Sequence, residues 1–130
     1  MVKSTVLVVD DDEDNALALE SALESIGFAV RVARSCAEAR RALAGAPVDA
    51  LVTDFSLGDG DGLELLLSLG ATRPRVAVVV SGHGGAAAEA RTLAAGFDGH
   101  LVKPIDLAQL ERMLRNALAE EKPPERLAPL

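Results

Sequence analysis

The sequence predicts an α/β protein: a doubly wound sandwich in which five βα units surround a parallel sheet. Two observations carry this. Four short apolar runs, Val6–Val9, Ala50–Thr53, Val76–Val80 and Leu101–Val102, are Val-rich and lack the polar alternation of a half-exposed strand. That is the pattern of strands buried on both faces, as parallel sheets are. Between them lie helix-like stretches punctuated by glycine, and right-handed crossovers place such helices on both faces of the sheet.

Taken in order, the first strand is followed by a helix predicted over about 14–26, with Ala16, Leu19, Leu23 and Ile26 on one face. The second strand, about Ala29–Ala33, alternates and contains Arg31, which places it at an edge. Ser35 with Glu38 has the capping-box spacing and opens a second helix over about 35–44. A third helix is expected over about 62–69 and a fourth over about 85–95. Asp106 with Gln109 opens the last, about 106–120, with Leu107, Leu110, Leu114 and Leu118 inward. Gly27, Gly45, Gly70 and Gly96 follow the first four helices and are expected as left-handed C-caps. Residues 1–120 form one domain on this reading, and 121–130, with Pro123-Pro124, form a C-terminal tail or linker.

Composition narrows the function. Of 130 residues 49% are hydrophobic but only 2% aromatic, so a core of Val, Leu and Ala is expected. A net charge of −7 argues against a nucleic-acid surface, which needs clustered cations. Arg31, Arg34, Arg40 and Arg41 are read as solvating one helix and the strand before it. The lone Cys36 excludes an internal disulfide and is read as a small residue at a helix start in a reducing compartment. No leader pattern and no membrane-length apolar stretch is seen, so a cytoplasmic protein without membrane association is expected.

The chemistry lies where the apolar runs stop. They end on Asp10-Asp11, Asp54, Ser81 and Lys103-Pro104, and sites in open α/β sheets form beyond the carboxyl ends of strands. Asp10 and Asp11 are hard oxygen ligands with no Cys or His beside them, which suits Mg²⁺, with Mn²⁺ the alternative. Asp12, Glu13 and Asp14 are assigned instead to a helix N-terminus, where carboxylates complement the dipole. Asp54, isolated at a strand end, is a candidate nucleophile on phosphorus. Lys103 supplies the positive charge that phosphoryl transfer requires, and Ser81 a hydroxyl donor. The glycines of Ser81-Gly82-His83-Gly84-Gly85 let backbone N–H groups approach an anion. Gly58-Asp59-Gly60-Asp61-Gly62 lacks EF-hand spacing and reads as a tight loop opening a helix.

The ordered set Val8-Val9-Asp10-Asp11, Asp54 with Gly62 eight residues on, Ser81-Gly82 and Lys103-Pro104 resembles the receiver domain of two-component response regulators, over roughly residues 4–118. The resemblance implies the flavodoxin-like (βα)5 fold with strand order 2-1-3-4-5. It implies that Asp54 is the phosphoacceptor, taking a phosphoryl group from a histidine kinase or phosphotransfer protein. Asp10, Asp11, Asp54 and the Ser56 backbone carbonyl would hold Mg²⁺. Ser81 and Lys103 would bind the phosphoryl oxygens, and Lys103–Pro104 would be cis. Ser81 and the residue at the switch-aromatic position, here His100, would relay the signal to the face of the fourth helix, fifth strand and fifth helix. Ser56 and His83 stand where phosphoryl lifetime is tuned. Gly58 replaces the usual Pro of the loop.

The resemblance implies no enzyme acting on other molecules, only self-phosphorylation and dephosphorylation. Two alternatives stand beside it: a haloacid-dehalogenase-like phosphatase using Asp10-Asp11-Asp12, and a non-phosphorylated pseudo-receiver binding module. No effector domain or DNA-binding helix is read in the chain, so output by a downstream protein partner is expected, from a stand-alone regulator or the receiver of a hybrid kinase. The Ala-rich fourth helix, with few charges, suggests a monomer or weak dimer.

Overall fold

The computed structural model describes residues 3–120; the predicted tail, 121–130, lies outside the described residues. Five parallel strands form the sheet: β1 (Thr5–Val9), β2 (Ala29–Ala33), β3 (Ala50–Asp54), β4 (Val76–Ser81) and β5 (Gly99–Val102). Their order is β2-β1-β3-β4-β5, the expected one, with Arg31-bearing β2 at an edge. Register pairs Val8 with Val52 and Val52 with Val78, so the central runs lie side by side. Every residue of β4 is buried.

The sheet divides two apolar layers, because alternate residues of a strand face opposite ways. Leu7, Val9, Leu51, Ala77 and Val79 pack with Cys36, Leu43, Leu65, Leu66 and Phe97. Val6, Val8, Val52, Val78 and Val80 pack with Leu23, Leu110 and Leu114. One face is therefore covered by α1 (Glu13–Ser25) and α5 (Leu107–Ala119), the other by α2 (Cys36–Gly45) and α3 (Gly62–Leu67). The remaining helix, α4 (Ala86–Ala94), buries a single residue, Thr92.

Helix ends show where local pattern yields to context. Asp12 caps α1 by accepting from the Asn15 amide, and Asp106 caps α5 at Ala108 and Gln109. Ser35 caps α2 through the Glu38 amide, but Glu38 returns its carboxylate to the Arg34 N–H, 2.9 Å away, one residue outside a reciprocal capping box. The complete capping box forms at Asp61 and Glu64 instead. Gly27, Gly70 and Gly96 take positive φ as expected, whereas Gly45 does not. There α2 runs through Gly45 with Ala46 as its cap residue, and the Arg31 guanidinium binds the Ala42 and Ala46 carbonyls, satisfying the helix end from the neighbouring strand. The third helix ends at Leu67 rather than 69, and a 3-10 turn, Gly70–Thr72, follows.

Candidate functional site

Three backbone hydrogen bonds and one from a side chain hold the strand ends in place. The Asp10 amide donates to Ala33 O of β2 and the Phe55 amide to Val80 O of β4. The Lys103 amide donates to Ser81 O at 2.8 Å, so the sheet ladder itself aims the lysine at the site. Buried Thr53 donates its hydroxyl to the Asp54 carbonyl at 2.9 Å. The Lys103–Pro104 bond is cis.

Carboxylate oxygens of Asp10, Asp11 and Asp54 lie within 4.8 Å of one another. Asp10 is buried at 9% exposure, Asp54 is half-buried, and Asp11 is exposed. Lys103 Nζ donates to Asp54 Oδ2 at 3.0 Å. Burial raises the Asp10 pKa; the charges of Asp54 and Asp11 push the same way, and the Asp12 amide and Lys103 oppose them. Burial works against the Lys103 ammonium, yet its hydrogen bond to Asp54 and the charges of Asp54, Asp10 and Asp11 outweigh it and its pKa is raised. Three crowded carboxylates against one ammonium leave a negative excess that a hard divalent cation fits, and all the donors are oxygens.

The Ser81 hydroxyl, by contrast, makes no hydrogen bond to these carboxylates or to the Lys103 ammonium among the described residues. Its hydroxyl donates to the His83 carbonyl, and its oxygen lies 2.8 Å from His100 Nε2. Ser56 is exposed and opens a two-residue antiparallel ladder, Ser56–Leu57 with Gly60–Asp61. His83 is exposed at the mouth of a small cavity shared with Phe55, Arg91 and His100.

Two residues read only as a solvating cation and part of a tight loop brace the site's surround. Asp59 accepts from the Cys36 and Ala37 amides at 2.8 and 3.0 Å, clamping the glycine-rich loop to the start of α2. Those amide bonds hold the Asp59 pKa below the usual carboxylate value. Burial, then the Asp59 charge, pushes the Cys36 thiol up to about 11. Arg34 donates to the Asp11 carbonyl at 3.3 Å and lies 3.9 Å from the Glu13 carboxylate, bracing the loop after β1. An Asp flanked by glycines and an Arg two residues before a helix carried only weak local signals.

A doubly wound sheet whose strand ends gather three carboxylates and an ammonium defines a class of α/β domains suited to a divalent cation and a phosphoryl group. The chain belongs to the response regulator receiver domain family, whose pattern matches residues 6–115. It is similar to the response regulator protein PilR of Pseudomonas aeruginosa, 34% identical over 100% of this chain and 29% of the relative. It is also similar to the photosynthetic apparatus regulatory protein RegA of Cereibacter sphaeroides, 34% identical over 92% of this chain and 65% of the relative. The chain thus spans less than two thirds of either. A response regulator from Burkholderia pseudomallei, solved with a phosphorylated aspartic acid, calcium ion and citrate, superposes with a TM-score of 0.79 at 30% identity. That match covers 88% of this chain and 69% of the other. These similarities support a receiver of two-component signal transduction and lend nothing to the phosphatase or the pseudo-receiver. No helix among the described residues is long and apolar enough to cross a membrane.

Proposed function

We propose that Asp54 is the phosphoacceptor, taking a phosphoryl group from a histidine kinase or histidine phosphotransfer protein. A carboxylate oxygen attacks phosphorus as the bond to the donor breaks, giving an acyl phosphate. The observation that carries this is the Lys103 ammonium 3.0 Å from Asp54 Oδ2, beside the clustered Asp10 and Asp11 carboxylates. Asp10, Asp11, Asp54 and the Ser56 carbonyl would hold Mg²⁺ or Mn²⁺, which when bound neutralises charge on the phosphoryl oxygens. Lys103 neutralises a further oxygen, and Ser81 donates its hydroxyl to another. The related Burkholderia protein carries a phosphorylated aspartic acid, which is consistent with this chemistry.

An opening of about 560 Å³ beside Asp10 and Lys103, walled by Leu19, Ile105 and Leu107, gives a donor protein an apolar approach to the site. Exposed Leu93 and Val102 support the α4–β5–α5 face as the output surface. His83 and Ser56, both exposed at the rim, are assigned to phosphoryl lifetime. Residues 1–120 are the receiver unit and 121–130 a tail; location in the cytoplasm, monomer or weak dimer, and output by protein rather than nucleic-acid contact complete the reading, in keeping with a net charge of −7.

Intact-mass measurement after acetyl phosphate and Mg²⁺ tests it. Wild type gains one phosphoryl group and Asp54→Asn gains none. Modification that persists in Asp54→Asn points to another nucleophile, Asp10 first, and an unmodified wild type indicates a pseudo-receiver.

A further inference from the structure

Ser81 is the hydroxyl that the phosphoacceptor reading needs at the phosphoryl group, and here its proton is engaged elsewhere. It closes β4 at 7% exposure and donates to the His83 carbonyl. A carbonyl only accepts and a hydroxyl has one proton to give, so toward any third group the Ser81 oxygen is an acceptor. That third group is His100, whose Nε2 lies 2.8 Å away. The other ring nitrogen, Nδ1, lies 3.4 Å from Thr92 Oγ1, which donates its own proton to the Glu89 carbonyl at 2.9 Å. Both hydroxyls therefore offer the ring only lone pairs. A neutral imidazole has one N–H, and the shorter contact takes it. The partners thus assign the hydrogen to Nε2, where it points at the Ser81 oxygen.

We propose that His100 is a positioning residue for the phosphoryl group, its Nε2–H holding the Ser81 oxygen while the Ser81 proton changes partner. This rests on the phosphoacceptor reading above and adds a contact to it. Donating to Asp54-bound phosphoryl costs Ser81 its bond to the His83 carbonyl, because there is a single proton. It does not cost the bond from His100, which uses an oxygen lone pair. The ring stays as a pivot, and the main chain of the Gly82–Gly85 loop is what is let go. A hydroxyl that accepts one hydrogen bond is also polarised into a better donor for the next. The chain from Nε2–H through the Ser81 hydroxyl to a phosphoryl oxygen therefore strengthens the grip on the anion.

The test is ring ¹⁵N spectroscopy on histidine-labelled full chain at about pH 8, where an ordinary histidine is neutral. The chain has two histidines, and His83→Gln, which keeps the main-chain carbonyl, assigns the other. Mg²⁺ with beryllofluoride serves as the phosphoryl mimic. The ring should carry its hydrogen on Nε2 both free and with the mimic, while the His83 carbonyl ¹³C signal moves. His100→Phe, a ring without the donor, should bind the mimic about fivefold more weakly, the worth of one ordinary hydrogen bond. His100→Gln, an amide donor, should recover part of that loss. In a Ser81→Ala background, His100→Phe should change binding no further. Any other ring protonation pattern, unchanged binding in His100→Phe, or an equal loss in the Ser81→Ala background overturns the proposal. Amide shifts around Asp54 with an unmoved His83 carbonyl overturn the change of partner alone; no amide shift in wild type removes the phosphoacceptor reading as well.

Discussion

Replacing Gly62 by Ala puts one methyl group against the backbone of the proposed phosphoacceptor. Gly62 opens α3 and its amide donates to the Phe55 carbonyl at 2.7 Å, closing the loop tightly. A Cβ there would stand 2.9 Å from the Asp54 carbonyl oxygen and 3.1 Å from Thr53 Cγ2. The first is backbone and the second belongs to a fully buried side chain, so neither yields freely. Overpacking of this kind costs about 1–3 kcal/mol. Ala offsets up to about 1 kcal/mol through helix propensity, less at a first turn than in a helix interior. The net is a destabilisation of about 1–2 kcal/mol, or a fall in Tm of roughly 4–8 °C. Because the strain falls on Asp54, the rate of phosphorylation by acetyl phosphate should drop too, roughly fourfold for a displacement of a few tenths of an ångström. Urea denaturation and timed intact-mass measurement read the two effects. A Gly62→Ala protein as stable as wild type, with an unchanged rate, would refute the reasoning that this glycine is required by close approach.

Further outcomes are expected elsewhere. Asp10→Asn relieves crowding among the three carboxylates, so in chelator it should melt above wild type; wild type alone should gain about 2.7 kcal/mol at Mg²⁺ a hundredfold above its Kd, read by thermal shift. For Asp59 the folded pKa is lowered, so its contribution is present above the ordinary carboxylate value and is lost as the pH falls through the lowered one. Asp59→Asn should flatten the stability–pH curve below about pH 4, and an unchanged curve would show the clamp to be idle. With its thiol pushed up to about 11, Cys36 should resist iodoacetamide near neutral pH until the chain unfolds; alkylation of native protein at the unfolded rate would contradict its burial. Leu110→Ala, at a fully buried position, should cost about 2–5 kcal/mol in urea, and a smaller loss would mean that α5 is loosely packed.

Much of the site was legible because strand ends in a parallel sheet are chemically conspicuous. Apolar runs such as Val76–Val80 give way to polar residues where the strands reach the carboxyl edge of the sheet, and there Lys103 meets Asp54 at 3.0 Å with an Asp10 carboxylate oxygen within 4.8 Å of Asp54. Caps that depend on residues three apart, Ser35 with Glu38 and Asp106 with Gln109, were equally readable. Less readable were choices between partners of equal local merit. Glu38 took the Arg34 amide, and Gly45 stayed helical because Arg31 reached across from β2.

The sequence by itself determined the buried apolar runs of the central strands, that β2 lies at an edge, and which polar groups stand at the strand ends, since these follow from periodicity and residue chemistry. Val102, read as buried, is exposed because β5 is the other edge. Only the tertiary structure decided what a polar group bonds beyond its own turn of chain. Ser81 meets His100, nineteen positions on, and Asp59 caps a helix that begins twenty-three positions before it. The reason is physical: a side chain's donors and acceptors are written in its formula, but which partner satisfies them depends on strand order and helix placement, which bring distant segments within about 3 Å.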